Sequence, residues 1–377
     1  NALITPRKLL VVLQFTFAII LIICTSIVRQ QIDHARNREN GYNKDNLVYH
    51  FLTGDLTKNA QIVKNELLSA GVATSVTLTS SPLTQGWSDS WGFQWEGKDP
   101  NDKTDFDRFS ADQDLGKTAG LTFVRGRDFD LKAFRTDSTG LIINESAAQT
   151  LKFKDPIGQI VKDDQREFHI VGVIKDFILQ SPYYPTKPMM IEGAKDNWIN
   201  VINFKLNGAH AIADNLKKAE AIFKKYNPEY PFEYYFVDEQ YAAKFKAEQR
   251  TGTLAALFAG LTIFISCLGL FGLATYMAEN RIKEIGVRKV LGASITGITT
   301  LLSKDFLKLV MLSFLIACPV AWWMMHSWLK NYPYHVSIQW QVFVFAGFLS
   351  FLISVITVSY QSIRAAVANP VKSLRSE

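Results

Sequence analysis

Glu279-Asn-Arg-Ile-Lys-Glu-Ile-Gly-Val-Arg-Lys-Val-Leu-Gly-Ala-Ser294 lies between two uncharged apolar runs, residues 251–278 before it and 309–329 after it. Each run is long enough to cross a bilayer, which takes roughly 20 apolar residues. A short basic segment is therefore held at a membrane face between two spanning helices. The rest of the chain reads as a device connecting that segment to the opposite side.

Working outward, two more apolar runs complete a set of four. Arg7 and Lys8 precede the first run, Leu9 to Val28, and the excess of basic residues on cytoplasmic loops places them inside. The expected organisation is a cytoplasmic segment 1–8, membrane helix 9–28, and an outer domain with stalk helices at 29–250. Membrane helix 251–277, a cytoplasmic coupling loop and helix at 278–308, and membrane helix 309–329 come next. An outer hairpin 330–341, membrane helix 342–363 and a cytoplasmic tail 364–377 complete it. The fold class is an α-helical membrane protein with four transmembrane helices and a large extracytoplasmic α+β domain. The first run is too long for a signal peptide and no small-residue cleavage site follows it. Since the chain opens on Asn1, it is expected to be a fragment or a processed product.

Charge agrees with this layout. The 377 residues carry a net +6. Outside 29–250 there are 12 Lys and Arg against 4 Asp and Glu, while 29–250 holds 29 against 31. The basic excess lies beside the membrane helices, which argues against a nucleic-acid partner, whose domain would carry the basic patch. The three cysteines, Cys24, Cys267 and Cys318, fall in apolar runs and behave as small hydrophobes.

Within 29–250, strands are expected at Leu47–Phe51, Val72–Thr79, Leu141–Ile143, His169–Ile174 and Phe232–Val237. Helices are expected at Asn59–Ser69, closed by Gly71, and at Glu145–Leu151. A further helix, Ala211–Tyr226, has Ile212, Leu216, Ala219 and Phe223 on one stripe. Asp238 is a plausible helix cap, and Glu239–Arg250 reads as a helix running straight into the second span. The first span continues outward through Gln30 to Arg38. Two helical stalks would thus join the domain to the membrane. In the second span Gly252, Ala256, Gly260, Gly269 and Gly272 recur at spacings that let helix backbones approach, either within the chain or against a second subunit. Pro319 should kink the third span.

Catalytic chemistry finds no foothold. A phosphate-cradling G-x-x-x-x-G-K-[ST] loop would need lysine where Ile298 follows Gly297. The six histidines are scattered, and neither H-E-x-x-H nor C-x-x-C occurs. No catalytic residue and no metal site are expected. Trp87, Trp91 and Trp95 form an aromatic cluster. Core packing is the favoured reading, and an exposed surface for a lipidic ligand or protein partner is the alternative. In the basic loop Ile282, Ile285, Val290 and Leu291 recur beside Arg281, Glu284 and Arg288, as in an amphipathic helix that docks in a protein groove. Gly286 and Gly292 allow close approach or a turn.

Arg281-Ile-Lys-Glu-Ile-Gly-Val-Arg-Lys-Val-Leu-Gly-Ala-Ser294 resembles the signature of FtsX/MacB-like ABC transporter permeases, of the type VII superfamily. Ser266-Cys-Leu-Gly-Leu-Phe-Gly-Leu273 and Asn369-Pro-Val-Lys-Ser-Leu-Arg375 are similar to the same family's pattern. In the outer domain Gly126-Arg-Asp-Phe129, Ile143-Asn-Glu-Ser-Ala147, Asp155-Pro-Ile-Gly158 and Ile170-Val-Gly-Val-Ile-Lys-Asp-Phe177 resemble the MacB-like periplasmic core domain. The resemblance covers almost the whole chain. It implies a multi-pass permease subunit of the bacterial inner membrane, without a cofactor of its own. ATP and Mg2+ would belong to a cytoplasmic ABC ATPase partner, against which Arg281, Ile282, Glu284, Ile285, Gly286, Arg288, Lys289, Leu291, Gly292 and Ala293 would lie. A second permease unit is implied too, as a homodimer or covalent pseudo-dimer, with a periplasmic protein as a further partner class. The function implied is mechanotransmission, in which hydrolysis inside reshapes the outer domain for efflux or release of a drug, peptide or lipoprotein-like substrate. The opening residues resemble the second half of double-length permeases. The rival function is a non-transport receptor, scaffold or cell-wall hydrolase regulator acting through the outer domain.

Overall fold

A computed structural model describes residues 6–194, 198–280 and 295–367. These divide into two compact units, one of residues 1–36 with 246–377 and the other of residues 37–245.

The first unit is helical. Its helices are α1 (Pro6–Arg36), α7 (Lys246–Asn280), α8 (Ile295–Leu329) and α9 (Trp340–Val367). All four contain stretches long and apolar enough to cross a membrane. Half of the apolar window of α1 is buried against the others, more than in any of the other three. Around it, Ile19, Ile23 and Ile27 pack with Ala317, Ala321 and Ala346, while Val11 and Phe15 pack with Leu270 and Val310. Small residues on α8 and α9 thus receive the branched side chains of α1, which is how helices associate where no water drives them together. The Ser313 hydroxyl donates to the Val12 carbonyl at 3.1 Å. Near the outer end, the buried Gln31 side chain donates to the Tyr334 carbonyl at 2.9 Å and accepts from the Val336 amide at 2.9 Å. The His34 ring stacks on Tyr334 at 4.4 Å. The short turn before α9 is therefore pinned to α1. At the other end, the Arg7 guanidinium lies 4.1 Å over the Tyr276 ring.

The stripe of small residues in α7 divides. Gly252 faces Val28 and Ile32, and Gly269 abuts the Gln14 side chain. Ala256, Gly260 and Gly272 are exposed, and a Cβ at Gly260 or Gly272 would meet no atom within 4 Å. Among the described residues, packing within the chain explains Gly252 and Gly269 but not the other three.

The second unit is a mixed α+β domain on one 12-stranded sheet. In chain order the strands are β1 (Leu47–Phe51), β2 (Ala73–Thr79), β3 (Ser88–Ser90), β4 (Gln94–Trp95), β5 (Phe106–Ala111) and β6 (Phe123–Gly126). They continue with β7 (Gly140–Asn144), β8 (Ile160–Asp163), β9 (Arg166–Ile174), β10 (Met189–Gly193), β11 (Val201–Leu206) and β12 (Tyr235–Phe236). The spatial order is β12-β1-β11-β2-β5-β10-β7-β9-β8-β4, with β3 on β5 and β6 on β9. Among the described residues, only β5–β10 and β7–β9 pair in parallel. The helices are α2 (Leu56–Ser69), α3 (Leu115–Ala119), α4 (Glu145–Leu151), α5 (Ile212–Tyr226) and α6 (Val237–Ala243).

Separate apolar cores lie against the sheet. One gathers Val48, Val63, Leu67, Val76, Phe204 and Phe223 between α2, α5 and the β1–β11–β2 strands. Another gathers Phe106, Leu141, Ile143, Ala147, Ile170 and Met190 around α4. On α5 the expected stripe packs on the core through Leu216, Ala219 and Phe223, joined by Asn215 and Ile222, while Ile212 at the helix start is exposed. The expected strand Phe232–Val237 contracts to the two residues of β12. The expected helix Glu239–Arg250 is broken: α6 ends at Ala243 and α7 begins at Lys246.

Candidate functional site

The family-like motifs of the outer domain resolve into structural locks. Gly126 has φ +68, and a Cβ there would collide with the Val171 carbonyl. Next to it Arg127 forks onto the buried Asp137 at 2.5 and 3.0 Å. The Arg127 guanidinium holds the Asp137 carboxyl below the usual range against the opposing effect of burial. Asn144 caps α4 by accepting from the Ala147 amide at 2.9 Å. The same oxygen accepts from the Met189 amide at 2.8 Å, and the Asn144 amide donates to the Lys187 carbonyl at 2.9 Å. Asp176 receives the Ser146 amide at 3.0 Å and its hydroxyl at 2.6 Å. These residues fix strand ends and helix starts, as the backbone's need for partners demands.

One region does more than hold the sheet together. The segment after β9, residues 177–188, is gripped from both points where the chain enters and leaves this domain. Arg38, two residues beyond α1, donates to the Pro182 carbonyl at 3.1 Å and the Tyr184 carbonyl at 2.6 Å. Lys244, two residues before α7, donates to the Leu179 carbonyl at 2.8 Å and to the Gln180 carbonyl. The Ile178 amide donates to the Asn40 carbonyl at 2.8 Å. Burial pulls the Lys244 ammonium down to about 8. The two carbonyls act in the other direction, since hydrogen bonds to an ion favour its charged form.

Behind these clamps lies an aromatic cluster built from the same three segments. Tyr42 meets Phe177 edge-on at 6.0 Å and Tyr241 at 6.3 Å. Phe245 meets Tyr241 at 5.6 Å and Tyr183 at 5.8 Å. Edge-to-face contacts of this kind add about 0.5–1.5 kcal/mol each beyond burial. Gly41, at φ +81, lets the entering chain lie on residues 176–177, where a Cβ would collide with the Asp176 carbonyl. The helix break falls here because Phe245 is buried in this cluster while Lys244 turns to the loop carbonyls.

In the sequence, Phe177 closes a family-like motif and Arg38 ends the first stalk, but nothing marks Lys244, Tyr42, Tyr183, Tyr241 or Phe245. Arg38 and Lys244 are some 200 positions apart, and only the fold brings them to one loop. The coupling residues that the sequence does single out, Arg281, Ile282, Glu284, Ile285, Gly286, Arg288, Lys289, Leu291, Gly292 and Ala293, lie outside the described residues. The tryptophan cluster does not form a core. Trp87 is 49% exposed and stacks on Phe51 at 5.8 Å, and Trp91 is 69% exposed. Only Trp95 packs inward, edge-on to Phe106. Among the described residues no three His, Cys, Asp or Glu side chains are grouped to hold a metal ion.

Four apolar spans, with one α+β domain inserted between the first and second, define a multi-pass membrane protein with a large domain outside the bilayer. Residues 20–212, more than half of the chain, match the MacB-like periplasmic core domain, and residues 256–370 match the FtsX-like permease C-terminal region. The chain belongs to the FtsX/MacB-like ABC transporter permeases. It is 25% identical over 267 residues to YknZ, an ABC transporter permease of Bacillus subtilis strain 168, across 68% of this chain and 66% of YknZ. It is also 25% identical over 190 residues to the macrolide export ATP-binding/permease protein MacB of Mannheimia succiniciproducens, across 46% of this chain. The match thus spans just under two thirds of YknZ's length and 28% of MacB's. The periplasmic region of MacB from Actinobacillus actinomycetemcomitans aligns with 54% of this chain and 94% of its own length, at 15% identity and a TM-score of 0.39.

Proposed function

We propose that this chain is the permease subunit of an ABC transporter of the bacterial inner membrane, and that it works by mechanotransmission. A cytoplasmic ABC ATPase, holding ATP and Mg2+, docks on the segment Arg281 to Ala293. Hydrolysis there shifts the membrane helices, and the outer domain changes shape to expel or release its substrate. The observation that carries this reading is the double grip on residues 177–188. Arg38 follows α1 and Lys244 precedes α7, and both hold the same loop. Any change in the separation of those two helix ends is delivered to one element of the outer domain. Packed, hydrogen-bonded elements transmit displacement in this way because they have discrete rather than continuously deformable arrangements.

A second permease unit completes the machine. The exposed Ala256, Gly260 and Gly272 offer it a close approach along α7. The exposed Trp87 and Trp91 favour a second reading, in which the outer domain acts as a receptor or regulator by binding a periplasmic protein. The test is a pull-down of the detergent-solubilised chain against cytoplasmic ATPases, comparing wild type with Arg288→Glu. Capture of an ABC ATPase by wild type and its release by the variant supports coupling. Absence of an ATPase from both turns attention to the receptor reading.

A further inference from the structure

The loop held by Arg38 and Lys244 forms one wall of a cleft of about 430 Å3 within the outer domain. Ile178, Leu179, Tyr184, Pro185 and Pro188 give it an apolar lining. One carboxylate, Asp107 on β5, is built into this apolar surface and is only 3% exposed. Its nearest donor is neutral: the Gln180 amide at 2.9 Å. No cation is paired with it among the described residues. The neighbouring Arg108 points to the other face of the strand, onto Glu192 at 2.5 Å and Asp163 at 3.0 Å, as strand alternation requires.

Asp107 and Lys187 are the charged residues lining the cleft, and the charge around Asp107 is predominantly acidic. Asp89 on β3 lies directly across from Asp107 in register, and Asp105 immediately precedes β5, close enough to act on the Asp107 charge. Lys187 is the ammonium near all three, and it is bound to Asp105 at 2.7 Å. Lys244 and Arg38 are committed to loop carbonyls. A buried carboxylate without a cation is costly, and like charges opposite one another in a ladder add to that cost. Burial, with the repulsion of Asp105 and Asp89, pushes the Asp107 carboxyl up to about 6, although Lys187 and Gln180 pull it down. An apolar wall with a few convergent polar groups is the usual make-up of a small-molecule site.

We propose that this cleft binds an amphipathic organic cation, with the apolar body against Tyr184, Pro185 and Pro188 and the protonated amine on Asp107. Because the loop that lines the cleft is the loop the stalks hold, occupancy biases the position of that loop. This consequence rests on the coupling reading, whereas the binding itself does not.

The test uses the full chain in zwitterionic nanodiscs without any ATPase, titrated calorimetrically with 1-naphthylmethylamine and corrected with empty discs. Matched probes are the neutral 1-naphthylmethanol and the anionic 1-naphthylacetate. The amine should bind about tenfold or more tightly than the alcohol, and the acid should not bind. Asp107→Asn, which keeps the Gln180 contact, should bring the amine down to the alcohol's affinity. Tyr184→Ala, at an exposed wall residue, should weaken amine and alcohol alike. Amine affinity should rise between pH 5 and pH 7.5, as Asp107 ionises beside Asp89, Asp105 and Lys187. Equal binding of amine and alcohol, or an Asp107→Asn variant with unchanged amine affinity, overturns the proposal. Since no ATPase is present, that failure would leave the coupling reading untouched.

Discussion

Replacing Lys244 with methionine tests the double grip where it is most exposed to contradiction. The ammonium makes two hydrogen bonds to carbonyls, those of Leu179 and Gln180. Hydrogen bonds to a charged group contribute roughly 1.5–3 kcal/mol each, so their gross loss is about 3–6 kcal/mol. Against this stands the burial of the charge. A fall from 10.5 to about 8 corresponds to roughly 3 kcal/mol of desolvation, which the variant recovers below pH 8. Methionine also keeps most of the apolar stem. The net loss of global stability should therefore be small, about 1–2 kcal/mol, while the loop loses one of its two anchors. Local opening of residues 178–184 should become easier by the same amount, which is about a tenfold faster amide exchange. Hydrogen exchange of the full chain, followed by mass spectrometry, reads this directly. Peptides from β7 and β10 act as internal controls. The Arg38→Met, Lys244→Met double variant should open the loop further still. If its exchange matches wild type, the two cations do not hold the loop, and the route from stalk to domain drawn here is wrong.

Asp107 gives a prediction in pH. Its folded value, about 6, lies above the 3.8 of the free carboxyl, so stability from its protonated form is present below about pH 4 and lost as pH rises through 6. Asp107→Asn should raise stability at pH 7.5 by roughly 2–3 kcal/mol and flatten the denaturation midpoint between pH 4 and 6. Asn144→Ala removes the cap of α4 and leaves the buried Ala147 and Met189 amides without their acceptor. Its cost should be about 2–4 kcal/mol, measured by urea unfolding, and a loss under 1 would show that this tie between β7 and β10 is dispensable. A Cβ at Gly260 meets no atom within 4 Å among the described residues, so for Gly260→Leu thermal unfolding should stay within about 0.5 kcal/mol of wild type while crosslinking between two copies falls. Unchanged crosslinking would remove α7 from any interface between permease units.

Elements whose sequence matches their environment were legible. β1 and α4 occupy the expected residues because a run of β-branched and aromatic residues, four of its five positions buried, and a capped seven-residue helix each carry their own signal. The membrane helices were legible from length, although α8 and α9 extend beyond their apolar cores. β10 and β11 escaped notice since both faces are buried and their residues do not alternate. The break at Lys244 and Phe245 has no glycine or proline to announce it. It comes from tertiary contacts, with Phe245 entering an aromatic cluster and Lys244 reaching the loop, and such contacts override local helix preference. Trp87 and Trp91 invert the usual expectation for aromatics. In their segment β3 is three residues long, and it is Phe93 that enters the core, with Trp95 packing partly against it. The grip by Arg38 and Lys244 could not be read from the chain, since carbonyl acceptors carry no sequence signature.

The coupling account is tested most directly by hydrogen exchange of residues 178–188 in inside-out membrane vesicles that contain the chain together with the cytoplasmic ATPases of its own cell. The account predicts that added ATP changes exchange in this loop, that a non-hydrolysable analogue holds it in one state, and that Arg288→Glu abolishes the response. Loop exchange that ignores ATP in wild type, or an ATP response that survives Arg288→Glu, would contradict it.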